Sequence, residues 1–168
     1  MIEWRESLEI DHGGLDRDHR EQHDLIRRFI GTPATDEGMR AALHLLRTLR
    51  RVSERHFIRE ERVQAAVDYP GRIEHRAQHR RLLEMLDEIT EQMDQTASLF
   101  DFAYRKTHAN GLLEFWFFDH FARADVGLRR HLARFPLPRP AASAVTPQSL
   151  AAAETMHQPQ GRQPGRSS

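Results

Sequence analysis

Cysteine is absent from the chain, which removes disulfides, thiolate-bound zinc, iron–sulfur clusters and thiol nucleophiles. An excess of one charge is absent too, since 25 Lys and Arg balance 25 Asp and Glu over 168 residues. That neutrality gives no electrostatic footprint for nucleic acid or for an anionic membrane, and neither is expected as a partner. No apolar run approaches the roughly 18 residues of a membrane-spanning helix. The opening Met1-Ile2-Glu3-Trp4-Arg5-Glu6 lacks the basic start and apolar stretch of a secretion signal, so a cytoplasmic location is expected. Proline is scarce until Pro136, after which 6 of the 8 prolines fall between Pro136 and Pro164. Ala, Ser, Gln and Gly fill the gaps, a composition that buries too little apolar surface to offset its ordering entropy. Residues 1–135 are expected to form one domain. Residues 136–168 are expected to be a disordered Pro/Ala/Gln-rich tail, open to an unknown protein partner.

What the chain does have is helical periodicity and 11 histidines. Apolar residues and His recur at spacings of three and four, the mark of amphipathic helices. The pattern predicts helices over 16–30, 37–67, 72–95 and 101–134. Gly31-Thr32-Pro33 and Tyr69-Pro70-Gly71 break the chain between them. No strand-like alternation competes. Four such helices with short connections predict an all-α, antiparallel up-down four-helix bundle. Residues 1–15 form a non-helical N-terminal arm, whose Trp4, Leu8 and Ile10 are apolar enough to pack along it.

Five of the histidines fall on the faces that this pattern turns inward. His56 and Glu60 are four apart on the second helix, as are His75 and His79 on the third, so each pair projects from one face about a turn apart. His19 lies on the apolar face of the first helix. On the fourth, His120 and Asp125 are five apart. In a regular helix that step turns Asp125 more than a hundred degrees from His120, toward a metal pair beside the helix. One buried His is most simply a core residue with a hydrogen-bond partner. Five His and at least one Glu from four helices, all sent to one core, need compensation, which a metal centre supplies.

In order and spacing these residues resemble the hemerythrins, in particular the single-domain bacteriohemerythrins. The resemblance spans about residues 2–132. It runs from the Trp4 opening through Leu15-Asp16-Arg17-Asp18-His19 and His56-Phe57-Ile58-Arg59-Glu60-Glu61. It continues through Tyr69-Pro70 and His75-x-x-x-His79, and closes with Trp116-Phe117-Phe118-Asp119-His120 and Asp125. His23 lies one turn after His19, but the count from Trp4 and Asp16 fits His19. The resemblance implies a non-haem centre of two iron ions joined by an oxo or hydroxo group. His75, His79 and His120 would hold one iron, His19 and His56 the other, and Glu60 and Asp125 would bridge them. Six positions are then filled on the first iron and five on the second, and dioxygen would take the vacancy. The implied function is reversible dioxygen binding for storage, delivery or sensing, by an oxygen-binding protein rather than an enzyme. The same centre could instead turn over peroxide or nitric oxide, or serve iron handling and repair. Iron suits imidazole and carboxylate ligands, as do zinc and manganese.

Phe57, Trp116, Phe117 and Phe121 adjoin the ligands or lie a turn away, and would form a dry oxygen pocket. Smaller aliphatics are usual at 117 and 121. Gln22 stands in place of a usual Leu and Gln64 in place of a usual Met or Leu, which puts two polar side chains near the centre. Glu61, Asp68, Glu74, Gln78 and Glu114 are candidates to orient the imidazoles from behind. A ferritin-like oxidase would need paired Glu-x-x-His motifs on core helices, whereas the clear example, Glu9-x-x-His12, lies in the arm.

Overall fold

A computed structural model describes Trp4 and residues 8–137, apart from the side chain of Trp116. The remainder of the expected tail, residues 138–168, lies outside the described residues. Helix α1 spans Gly14–Ile30, α2 Asp36–Ala66, α3 Arg72–Asp94, α4 Leu99–Asp119 and α5 Asp125–Arg134. A π-helical turn, His120–Ala124, joins α4 directly to α5, so the last two helices form one interrupted rod. The described residues are therefore all-helical, with four rods and no strand.

Local chemistry sets the helix ends. Thr35 Oγ1 accepts from the Gly38 N–H at 3.0 Å and caps α2. Gly38 has no alternative, because a Cβ there would collide with the Pro33 carbonyl. Ser98 Oγ accepts from the Asp101 N–H at 3.1 Å at the start of α4. Asp11 accepts from the N–H groups of Gly13 (2.7 Å) and Leu15 (3.2 Å), which fixes the entry to α1.

The rods pack antiparallel in sequence order. Between α1 and α2, Asp18 meets Arg59 and Gln22 meets Ser53, so one chain ascends as the other descends. Between α2 and α3, Arg47 pairs with Asp94 and Arg50 with Asp87. Helix α4 closes the ring against α1 and α3. The larger apolar cluster includes Phe29, Leu46, Leu49, Leu86, Phe102 and Leu113. A smaller one joins Ile10, Leu15 and Leu128, with Val63 and Tyr69 packed against it. The arm does pack on the bundle as expected: Ile10 is buried, Leu8 lies on the larger cluster, and Trp4 sits 5.9 Å from His23 and 6.4 Å from His19, ring to ring.

On three of the rods the two clusters leave a gap. It falls between Leu15 and Leu25 on α1, between Phe57 and Val63 on α2, and between Phe121 and Leu128 on the last rod. All the conspicuous polar residues of the core lie in or beside that gap.

Candidate metal centre

Five imidazoles and two carboxylates meet in this layer, all of them buried: His19, His56, Glu60, His75, His79, His120 and Asp125. Each His turns Nε2 toward the others. His75 Nε2 lies 3.1 Å from Asp125 Oδ1 and 3.4 Å from Glu60 Oε1. His79 Nε2 lies 3.1 Å from Glu60 Oε2, and His120 Nε2 3.4 Å from Asp125 Oδ1. On the other side, His19 Nε2 lies 2.8 Å from His56 Nε2 and 3.3 Å from Asp125 Oδ2. His56 Nε2 is 3.7 Å from Glu60 Oε2. Both carboxylates therefore reach both groups of imidazoles: three His on one side, two on the other. Glu60, His75, His79 and His120 each offer a ligand atom within 4.8 Å of the others.

These atoms are close, yet most are not hydrogen-bonded. The Nε2 atoms of His75, His79 and His120, Glu60 Oε2 and both Asp125 oxygens are buried with no partner. So many unpaired donors and acceptors in a dry core are costly. Lone pairs that converge on a common space at this range suit a cation. Nitrogen and oxygen donors without sulfur suit iron, manganese or zinc. The side chains present therefore fit a metal centre.

The electrostatics of the metal-free site differ from one imidazole to the next. Burial holds His19 and His120 well below the usual imidazole range, so both are neutral, the form that binds metal. Burial alone would also lower His75, but Asp125 and Glu60 beside it outweigh that and lift it to about 10. Burial would raise Glu60, yet the adjacent His75 and His79 hold it well below the usual carboxylate range. Burial, aided by the negative charge of Glu60, pushes Asp125 up to about 6.

The five-residue step from His120 to Asp125 is resolved by a feature the spacing alone does not reveal. The π-turn carries one residue more than an α-turn, so Asp125 comes round to the same side of the rod as His120 instead of turning away. The expectation of a ligand displaced by more than a hundred degrees is corrected accordingly.

Aromatic rings pack on the imidazoles. Phe57 stacks on His79 with centroids 4.0 Å apart and an 11° tilt, and stands edge-on to His56 and His120. Phe121 lies 4.4 Å from the His19 ring, and Phe117 is buried beside Phe121. The side chain of Trp116 lies outside the described residues.

Of the five residues proposed to orient imidazoles from behind, Glu61 does so, at 3.1 Å from His79 Nδ1. Asp68 and Glu74 are exposed, and Gln78 and Glu114 line surface clefts. The sequence reading missed Asp18, a buried carboxylate 3.6 Å from His56 Nδ1. Arg59 donates to it at 2.6 Å and Arg55 lies 3.6 Å away. Burial would raise Asp18, but His56 and the two guanidiniums outweigh it and hold the carboxyl below its usual range. A hint lay in the sequence, since Asp18 directly precedes His19 on a helix whose inward face includes it. Gln64, one turn after Glu60, donates to Glu60 Oε1 at 3.1 Å.

A comparison with curated proteins finds no match. Residues 13–132 match the family model of the hemerythrin HHE cation binding domain, a span that contains every side chain of the centre. With most of its length covered by that match and the converging His and carboxylate side chains in place, the chain belongs to the hemerythrin family.

Proposed function

We propose that this domain holds two non-haem iron ions and binds dioxygen reversibly. His75, His79 and His120 hold one ion, His19 and His56 hold the other, and Glu60 and Asp125 serve both. The reading is carried by the three-against-two division of the imidazoles around two shared carboxylates, with the facing atoms of His75, His79, His120 and Asp125 unpartnered. The asymmetry would leave one ion short of a protein ligand, the position a small molecule would take. When bound, the iron pair supplies the electrons that dioxygen takes up and returns.

The remaining work falls to the chain. Glu61 accepts a hydrogen bond from His79 Nδ1, and Asp18 stands behind His56, so each ring keeps Nε2 aimed inward. Phe57, Phe117 and Phe121 exclude water, which slows the proton transfers that would release a bound oxygen in reduced form. Storage, delivery and sensing in the cytoplasm would all use this same site.

The test is spectroscopic. Anaerobically reduced, iron-loaded protein should develop a visible charge-transfer band in air and lose it under inert gas over repeated cycles. A second reading, turnover of peroxide or nitric oxide, is favoured by two wholly buried amides close to the centre, Gln22 and Gln64. It predicts irreversible bleaching with substrate consumed.

A further inference from the structure

The layer beside the centre holds a polar surplus that the metal ligands do not absorb. Gln22 and Ser53 lie one helical turn from His19 and His56 on the same two helices, and both are wholly buried. Gln22 Nε2 donates to Ser53 Oγ at 3.0 Å, which leaves Gln22 Oε1 buried without a partner. Turning the amide over does not remove the deficit. A hydroxyl donates as well as accepts, so the flip would only move the unpaired group to Nε2. One turn further from the centre the core is apolar, with Ile26 on α1 and Leu49 on α2 both buried. Phe121, against His19, is buried as well. The Gln22–Ser53 pair thus lies between an apolar layer one turn away on one side and the imidazoles of His19 and His56 one turn away on the other.

Building on the di-iron reading, we propose that Gln22 and Ser53 form a hydrogen-bonding subsite for a small exogenous ligand carried at the His19 and His56 end. The subsite favours compact molecules of two or three heavy atoms that accept or donate hydrogen bonds, such as small anions and peroxide. A gas that stays apolar and unreduced gains nothing from it. The amide can present either its carbonyl or its NH₂, and the Ser53 hydroxyl supplies a proton, so ligands of either hydrogen-bonding sense are served. Gln22 and Ser53 here are specificity-determining residues. They hold no metal.

Azide serves as the probe, titrated into the iron-loaded full chain and followed by its visible charge-transfer band. Gln22→Leu and Gln22→Met should each weaken azide binding by about tenfold, the scale of one hydrogen bond to a charged ligand, with iron per chain unchanged. Ser53→Ala should weaken it in the same direction. An azide affinity within about twofold of wild type in all three variants overturns the proposal, as does a loss of iron from Gln22→Leu. Metal-free protein gives a second readout. Gln22→Leu should melt above wild type there, because an unpaired buried amide is replaced by an apolar side chain of similar shape. A lower melting temperature would show that the fold itself satisfies the amide, and also overturns the proposal. Failure of the wild-type chain to take up iron would instead refute the di-iron reading, a result distinct from an unchanged azide affinity.

Discussion

The Asp125 backbone N–H donates to the carbonyl of His120, five residues back, where an α-helix would bond four back. This single widened turn brings His120 and Asp125 to one side of the last rod, with His120 Nε2 3.4 Å from Asp125 Oδ1. A π-turn is an α-helix with one residue inserted. Deleting exposed Ala122 should therefore restore an α-turn and keep Asp125 facing the centre at a four-residue spacing. Inserting an alanine at the same place should swing Asp125 away. Elemental analysis should find near wild-type metal in the deletion variant and a loss in the insertion variant. The opposite order would show that the π-turn does not set the position of Asp125.

Removal of metal should lower stability substantially. The apo centre leaves buried nitrogens and carboxylate oxygens unpaired, so a cation that binds only the folded chain stabilises it. At a free metal concentration a hundredfold above Kd the gain is about 2.7 kcal/mol. Calorimetry of matched apo and loaded samples reads this directly. Identical melting temperatures would contradict it.

The two forms should respond to pH in opposite directions. In metal-free protein His75 is held at about 10 in the folded state, against an ordinary value of 6.5. A raised folded value contributes stability that is fully present below 6.5 and is lost as pH climbs toward 10. The apo protein should lose that increment over this alkaline window, and His75→Gln should flatten the loss. The loaded protein should release its metal on acidification, because imidazole must be neutral to bind. Denaturant unfolding across pH checks the first, and chelator-trapped metal the second. Metal retained through prolonged exposure near pH 4 would count against imidazole ligation.

Phe57 links the imidazole cluster to the core. It is buried and stacked on His79 at 4.0 Å. Phe57→Ala should cost about 3–5 kcal/mol through the cavity it leaves. Urea unfolding measures this, and a loss below about 1 kcal/mol would mean that the neighbouring rings close the gap.

Asp18 supports His56 from behind while bound by Arg59. Asp18→Asn keeps its shape and removes its charge. Metal affinity should fall about 10–100-fold, the usual range for a partner behind a metal-bound imidazole. Competition against a calibrated chelator provides the value, and an unchanged affinity would restrict Asp18 to tying α1 to α2.

Much of this centre was legible in the sequence because α-helical geometry makes it so. A four-residue step nearly completes a 3.6-residue turn, so His56 with Glu60 and His75 with His79 had to share faces, and the apolar stripe said which faces were inward. Phe57 followed from adjacency to His56. The step from His120 to Asp125 was not legible in the same way. A π-turn has no strong composition signature, and it persists here where both of its ends contribute to the centre. Asp18 was missed for another reason. Its role depends on Arg55, His56 and Arg59, 37 to 41 residues further along, and only the antiparallel packing of α1 on α2 brings them together. Gln22 was visible as an unusual polar residue, but its unpaired oxygen emerges only once Ser53 is seen to accept its amide.

The most direct measurement is iron per chain after anaerobic reconstitution, for the wild type and for His19→Ala, His75→Ala and Asp125→Ala. Two irons in the wild type are predicted, with a deficit in each variant and the charge-transfer band lost in all three. A wild-type chain that binds no iron, or variants that keep two, would contradict a centre built from these seven side chains.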